Sequence, residues 1–195
     1  MSNNMLLDCR DISYKYPGSN VEVFKDMSYR LSGPGFHALF GPSGVGKTTL
    51  AKMMTGDIKK HGGVIHKSNI QRVLYTHNLE RIPGWSTVGE HIANTTPDTN
   101  KAKIEDLIST FGMETHTNSQ FSQLSLGQQN RINLVRYMLQ DFDLLIMDES
   151  LANVDEVTKE HIILKMKTTF SDLLKRNVSE PNTIIIIIRQ LKQIS

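Results

Sequence analysis

Residues 41–48, GPSGVGKT, form a glycine-rich loop of the kind that binds phosphate groups. Its glycines allow backbone conformations that turn N–H groups toward phosphate oxygens, and a predicted helix from Lys47 points its positive end at the same anion. Lys47 can reach the β- and γ-phosphates, which makes it a candidate catalytic residue as well, and the Thr48 hydroxyl can ligate Mg²⁺. The expected nucleotide-binding residues are Gly41, Pro42, Ser43, Gly44, Val45, Gly46, Lys47, Thr48 and Thr49. The loop therefore predicts an ATP site.

An acidic pair, Asp148 and Glu149, directly follows the apolar run Leu144–Met147. Such a run is typical of a central parallel strand, and ligands bind at the carboxyl ends of these strands in open α/β sheets. Asp148 can hold Mg²⁺ directly or through water, and Glu149 can orient an attacking water or accept its proton. An acidic pair after a strand can instead cap a helix or lie on the surface. Its combination with the phosphate loop favours a role in ATP hydrolysis.

Strands alternate with helices around these motifs, which predicts a mostly parallel, right-handed βαβ core. The alternating segments Met5–Tyr16 and Val21–Leu31 predict β structure at the start, and 36–40 predicts a short buried strand before the loop. The polar stretch 77–100 is predicted to be irregular. Further strands are expected at Val64–His66, Arg72–Thr76 and Thr183–Ile188, and helices at Lys47–Met54, Lys101–Phe111, after residue 129 and at Val154–Leu174.

The composition is that of an ordinary soluble globular protein, with 38% hydrophobic and 22% charged residues. A net charge of +2 gives no electrostatic argument for binding nucleic acid or a membrane surface. The single cysteine, Cys9, excludes an internal disulfide and suits a reducing compartment. No secretory signal is visible, and the longest isoleucine run is far shorter than the about 20 apolar residues of a membrane span. We therefore expect a membrane role only through a partner.

The segment LSLGQQNRINLVRYML, which starts at Leu124, resembles the signature of ATP-binding-cassette ATPases. The family signature reads LSGGQ, and Leu126 replaces its first glycine here. The resemblance extends from Asp11 to Arg189, and it implies an α/β P-loop NTPase fold with a mostly parallel central sheet, an N-terminal antiparallel β subdomain and a small helical subdomain. It implies one domain over residues 1–195, in which about 1–76 and 141–195 form the core and about 77–140 the helical part.

The same resemblance implies further nucleotide contacts. Tyr16 corresponds to an aromatic residue that stacks on adenine, although Tyr14 is an alternative. Cassettes of this family pair head to tail, so that Ser125, Gly127 and Gln128 of one would complete the γ-phosphate site of the other. A signature without a catalytic group makes physical sense in such a dimer, because it supplies a hydroxyl, N–H groups and a helix dipole in trans. Asp155 corresponds to the acid that ends the loop after the catalytic glutamate.

Besides Leu126, two further positions depart from the family pattern. His77 stands where the family has a glutamine that touches Mg²⁺ or water, so we count it as a candidate metal ligand. Arg189 stands where the family has a histidine near the γ-phosphate. Arg189 can stabilise charge on the transferred phosphoryl group, or it can pair with Glu149 and hold that carboxylate away from water. We therefore predict an ATPase whose turnover can be slow.

Residues 81–88, RIPGWSTV, resemble the RLLPWxTV stretch of nitrate, sulfonate and taurine importers, with Gly84 as an extra residue. The leading interpretation is an ATPase subunit, homodimeric or heterodimeric, that drives separate integral-membrane subunits from the cytoplasmic face. Trp85 then either faces the membrane subunit or packs the helical subdomain, and export instead of import remains open. The alternatives are a degenerate cassette that regulates a competent partner, or a non-transport cassette. No nucleic-acid partner is expected, since heptads and a basic patch are lacking.

Overall fold

The computed structural model describes residues 5–77, 83–97, 99–175 and 183–188. The described strands are β1 (Met5–Lys15), β2 (Glu22–Ser32), β3 (Gly35–Phe40), β4 (Val64–Lys67), β5 (Val73–His77), β6 (Leu144–Asp148) and β7 (Thr183–Ile188). The described α-helices are α1 (Lys47–Thr55), α2 (Val88–Thr95), α3 (Lys101–Thr110), α4 (Leu126–Met138) and α5 (Glu156–Lys175). Contacts group the chain into two units, which are residues 1–75, 142–148 and 173–195, and residues 76–141 and 149–172. The domain outline drawn from the sequence stays a prediction.

The first unit contains the antiparallel sheet expected at the N-terminus. Strands β2, β1 and β4 lie in that order, and β1 pairs antiparallel with both neighbours. A four-stranded sheet has the order β3-β7-β6-β5, and β7 pairs in parallel with β3 and with β6. The predicted fold, α/β with a mostly parallel central sheet and an antiparallel β part, is confirmed.

Strands β6 and β3 differ in burial although both were expected to be buried. Every residue of β6 is buried, as predicted for a central strand with apolar residues on both faces. Strand β3 is half-buried to exposed, and Phe40 has 51% of its surface exposed. The prediction of a buried strand at 36–40 is therefore wrong, because among the described strands β3 lies at the edge of the four-stranded order and pairs with β7 alone.

Helix α1 packs between these sheets and carries the phosphate loop at its start. The core of the first unit consists of Leu6, Leu7, Cys9, Ile12, Leu31, Leu50, Ala51, Met53, Met54, Ile70, Leu144 and Ile146. Gly56 ends the helix with a left-handed backbone (φ 89°), and its N–H donates to the Met53 carbonyl. Burial of one face of α1 thus fixes the position of its N-terminus, where the loop lies.

The second unit is helical, and it includes α2 within the stretch 77–100 that we predicted to be irregular. That prediction is wrong, because a reciprocal capping box begins the helix. The Thr87 hydroxyl accepts from the Glu90 N–H at 3.2 Å, and the Glu90 carboxylate accepts from the Thr87 N–H at 2.9 Å. The hydrogen bond that the carboxylate accepts from the Thr87 N–H, followed by its interaction with the Thr87 side chain, holds the pKa of Glu90 below its usual value. Val88 and Ile92 are then buried one turn apart on the same face.

None of the helices in the described ranges is long and apolar enough to cross a membrane.

Replacing Thr87 by Ala should lower the free energy of unfolding by about 1 kcal/mol, because the N–H of Glu90 loses its capping oxygen. Urea denaturation at neutral pH measures this loss. Thr87→Ser is the matched control and should stay within a few tenths of a kcal/mol of wild type, since it retains the hydroxyl. An equal loss in both variants would show that the cap contributes nothing to stability.

Candidate nucleotide-binding site

The glycine-rich loop connects β3 to α1, and two of its glycines adopt backbone conformations that other residues avoid. Gly44 has φ 82° and Gly46 has φ 100°, both in the left-handed region. Space is open around Gly44, whereas a Cβ on Gly46 would lie 2.7 Å from the Phe24 ring and 2.8 Å from Val23. Gly46 is therefore required both for its backbone conformation and for the close approach of β2.

Lys47 is the first residue of α1 and is buried. Its ammonium donates to the carbonyl of Gly41 at 2.7 Å and to that of Pro42 at 2.8 Å. An ammonium has three N–H donors, so a third one remains for a phosphate oxygen beyond these two bonds. The two carbonyls thus hold the Lys47 ammonium inside the curve of its own loop. The N-terminus of α1 lies at the same place, and a helix N-terminus favours a bound anion.

Thr48 and Asp148 are brought together although they are 100 residues apart in the chain. The Thr48 hydroxyl donates to Oδ2 of Asp148 at 2.6 Å. The Tyr75 hydroxyl donates to the same oxygen at 2.9 Å. Burial and the adjacent charge of Asp148 raise the pKa of Tyr75 above its ordinary value, so its hydroxyl keeps the proton that it donates. The carboxylate at the end of β6 is thereby held by groups from α1 and from β5.

The donor set fits Mg²⁺, a hard cation that takes oxygen ligands and keeps several waters. A hydroxyl that donates its proton to a carboxylate retains its lone pairs, so Thr48 can bind a cation while it donates to Asp148. In the described ranges, no three His, Cys, Asp or Glu side chains come together as a metal cluster, either at this site or elsewhere. His77, the third predicted ligand, is the exposed last residue of β5, and its role as a ligand stays a prediction.

Tyr16 follows β1 and lies beside the loop. Its hydroxyl shares a hydrogen bond with the hydroxyl of buried Thr49 at 2.9 Å. Its ring contacts the Tyr14 ring edge-on, with centroids 5.0 Å apart. Because 40% of its surface is exposed, Tyr16 retains area on which a base can stack. Adenine stacking on Tyr16 stays a prediction, but the Thr49 contact anchors this ring to α1.

In the second unit, the signature residues form the start of α4. The Ser125 hydroxyl accepts from the Gln128 N–H at 3.3 Å, and the Gln128 side-chain oxygen accepts from the Ser125 N–H at 2.8 Å. The amide nitrogen of Gln128 lies 2.9 Å from Nε2 of His116. The capping box fixes the Gln128 amide, so its NH₂ group faces the imidazole and donates to it.

Gly127 and Asp155 belong to the same part of the second unit. A Cβ on Gly127 would meet the carbonyl oxygen of Asn153, so no side chain fits between α4 and the loop before α5. The Asp155 carboxylate accepts from the Thr158 N–H at 2.9 Å and so caps α5. This bond holds the pKa of Asp155 below its usual value. The signature turn and the loop that ends at Asp155 are therefore in direct contact.

Glu149 has an unusual backbone, and Arg189 lies outside the described residues. Glu149 is half-buried and has φ 54°, a left-handed conformation that is rare for a residue with a side chain. Its carbonyl accepts from the Ala152 N–H at 2.9 Å, which closes a turn. The next residue, Ser150, is buried and donates to the Thr76 carbonyl at 3.1 Å. These contacts hold the segment after Asp148 in one conformation.

Sequence reasoning missed Tyr75 and His116. Tyr75 precedes His77 by two residues on β5 and so shares its side of the strand, which was the available signal. Nothing in the sequence indicated that its hydroxyl reaches Asp148. His116 ends a short 3₁₀ turn, and its contact with Gln128 depends on how that turn packs near α4.

Known proteins are similar to this chain over most of its length. The ABC transporter family model matches residues 24–152. A "Probable metal transport system ATP-binding protein" of Thermotoga maritima is 26% identical over 189 residues, which cover 94% of this chain and 74% of that protein. The taurine import ATP-binding protein TauB of Pelagibacter ubique is 28% identical over 195 residues, which cover 92% and 70%. These matches confirm the predicted resemblance to ABC ATPases and to the importer class.

A solved structure shares the fold. A bacterial Atm1-family ABC exporter with ATP bound superposes with a TM-score of 0.78 at 18% identity. The match covers 100% of this chain and 36% of the exporter chain.

Gly46→Ala should cost more stability and more ATP affinity than Gly44→Ala. Both changes place a side chain at positive φ, at about 1 kcal/mol each, but the Gly46 change adds a clash with Phe24, at about 1–3 kcal/mol. Urea denaturation gives the free energy of unfolding, and calorimetric titration with ATP gives the affinity. Equal losses in the two variants would contradict the steric role of Gly46.

Proposed function

The chain belongs to the ABC transporter family, and from that premise we propose that it is an ATP-hydrolysing subunit of a transporter. It binds ATP with Mg²⁺, pairs head to tail with a second cassette and drives separate integral-membrane subunits. The hydrogen bond between Thr48 and Asp148 carries this proposal, because it joins the last residue of the phosphate loop to the acid at the end of β6. Those are the two parts that a phosphoryl-transfer site needs in one place.

Nucleotide binding rests on groups that are already oriented. The backbone N–H groups of Gly41 and of residues 43–49, together with the N-terminus of α1, favour phosphate, and Lys47 contributes its charge within the same curve. Tyr16 offers its ring to the base. Thr48 and Asp148 would hold Mg²⁺, and the cation would supply positive charge against the negative charge that develops on the phosphoryl group. His77 belongs to this set as a further proposed ligand.

Glu149 is the proposed base that orients the attacking water. Backbone strain of about 1–3 kcal/mol at such a residue persists only where surrounding contacts impose it, and it is concentrated at functional sites. The turn to Ala152 and the bond from Ser150 to Thr76 supply such contacts. Arg189 remains the proposed group for charge on the γ-phosphate or for pairing with Glu149.

The signature supports pairing with a second cassette, whether identical or different. The Ser125 hydroxyl accepts a hydrogen bond within its cap, so its proton is still available to a phosphate of the opposite cassette. The backbone of Gly127 lies in the first turn of α4, where N–H groups are not used within the helix. Gln128 holds this turn through Ser125 and His116, which assigns it a supporting role.

Two observations favour transport over the other roles. The relatives described above are named as transport or import proteins, and import is therefore the direction that we propose. Trp85 has 78% of its surface exposed, so it does not pack the helical unit and is available to a membrane subunit. A location at the cytoplasmic face of the cell membrane, held by that subunit, follows from the proposal.

Glu149→Gln should reduce steady-state phosphate release about 100-fold or more, because the amide cannot accept the proton of the attacking water. ATP affinity should stay near wild type, and light scattering should show an ATP-dependent dimer. Glu156→Gln is the matched control, since Glu156 is exposed on α5 and pairs with Lys159. Equal release by wild type and Glu149→Gln would refute the catalytic role of Glu149.

Expression of the tagged chain together with the membrane proteins of its own host tests the transport role. We expect co-purification with two integral-membrane subunits, and Trp85→Ala should weaken that association because an exposed anchor is lost. Tyr29→Phe, a change in the N-terminal sheet, should not weaken it. Recovery in a complex of soluble proteins alone, or tight binding to nucleic acid at physiological salt, would contradict the transport role.

A further inference from the structure

Tyr75 contacts Asp148, the acid of the nucleotide site, from strand β5 and not from the phosphate loop. Its side chain is half-buried on β5, and its hydroxyl donates to Oδ2 of Asp148 at 2.9 Å. Thr48 donates to that same oxygen at 2.6 Å from the start of α1. One carboxylate oxygen is thus held by two hydroxyl donors that belong to different secondary-structure elements.

Two donors on one oxygen restrict the carboxylate in a way that one donor cannot. The terminal torsion of an aspartate is broad and roughly two-fold, so a single hydrogen bond leaves the carboxylate plane free to turn. A carboxylate oxygen offers about two lone-pair directions, and here both are directed at fixed hydroxyls. The plane of Asp148 is therefore defined, and its Oδ1, to which no described residue donates a hydrogen bond, can face the hydration shell of a cation.

The position of Tyr75 also affects Thr48. Because the Thr48 proton is directed at Oδ2, the lone pairs of its oxygen point away from Asp148. If the carboxylate turned, the Thr48 proton would follow Oδ2 and those lone pairs would change direction. A donor that fixes Asp148 thus also fixes the Thr48 oxygen as a ligand.

We propose that Tyr75 is a positioning residue of the metal site, which orients the Asp148 carboxylate so that Asp148 and Thr48 bind Mg²⁺ together. This inference rests on the Mg²⁺ site of the proposed function. Tyr75 touches neither nucleotide nor cation and acts through Asp148. Groups that orient metal ligands typically change metal affinity 10- to 100-fold when they are removed.

The test measures metal affinity without turnover, with Mn²⁺ as the probe. Mn²⁺ is titrated into protein held in excess over a non-hydrolysable ATP analogue, and the free ion is followed by its electron paramagnetic resonance signal. Calorimetry with EDTA present gives the affinity for the analogue without metal. The variants are Tyr75→Phe and Tyr75→Met, which both lack the hydroxyl, with Tyr29→Phe as the matched control. Tyr29 is half-buried on β2, opposite Cys9.

We expect both Tyr75 variants to bind Mn²⁺ about tenfold more weakly than wild type while metal-free affinity for the analogue stays within about twofold. Tyr29→Phe should change neither. Thr48→Val and Asp148→Asn separate this inference from the proposed function. If they weaken Mn²⁺ binding and neither Tyr75 variant does, the role of Tyr75 is overturned and the metal site stands. If Thr48→Val and Asp148→Asn also leave Mn²⁺ affinity unchanged, the metal site itself is wrong, and the inference fails with it.

Discussion

The hydrogen bond from the Thr48 hydroxyl to the Asp148 carboxylate joins the two halves of the nucleotide site. One end belongs to a helix that starts at the phosphate loop, and the other to a strand that is buried along its whole length. Helix α1 and strand β6 pack in one hydrophobic core, and this packing brings the two ends of the bond together without a ligand. The position of Lys47, the curve of the loop and the contact from Tyr75 all depend on that shared placement.

Much of this arrangement could be predicted from the sequence because glycine and apolar runs have few structural options. GPSGVGKT requires positive φ, which Gly44 and Gly46 adopt, and LLIM after a polar segment is typical of a central strand. The same reasoning failed for residues 77–100. The proline and glycine residues of this stretch favour irregular structure, and the prediction therefore overlooked the capping box of Thr87 and Glu90. It also failed for the burial of β3. Burial depends on whether a strand lies at the edge or in the centre of its sheet, and the sequence of a single strand does not specify that position.

The contacts that sequence could not reveal involve side chains with ordinary structural explanations. A tyrosine on a half-buried strand is expected to pack, and only the structure shows its hydroxyl on the acid of β6. Asp155 was identified by resemblance to a nucleotide-site loop, and the structure adds that it caps α5. Gln128 likewise holds the turn at which it lies. In each case a residue at the candidate site also stabilises the local backbone, so a change in function and a change in stability are linked.

The approach of Gly127 to the Asn153 carbonyl has a consequence for how this protein can vary. The contact is between a backbone position without a side chain and a backbone carbonyl oxygen, so shortening the side chain of Asn153 would make no room. A defect caused by enlarging residue 127 therefore has no compensating substitution at residue 153. Genetic suppressors would have to act by shifting the whole loop, for example through its length.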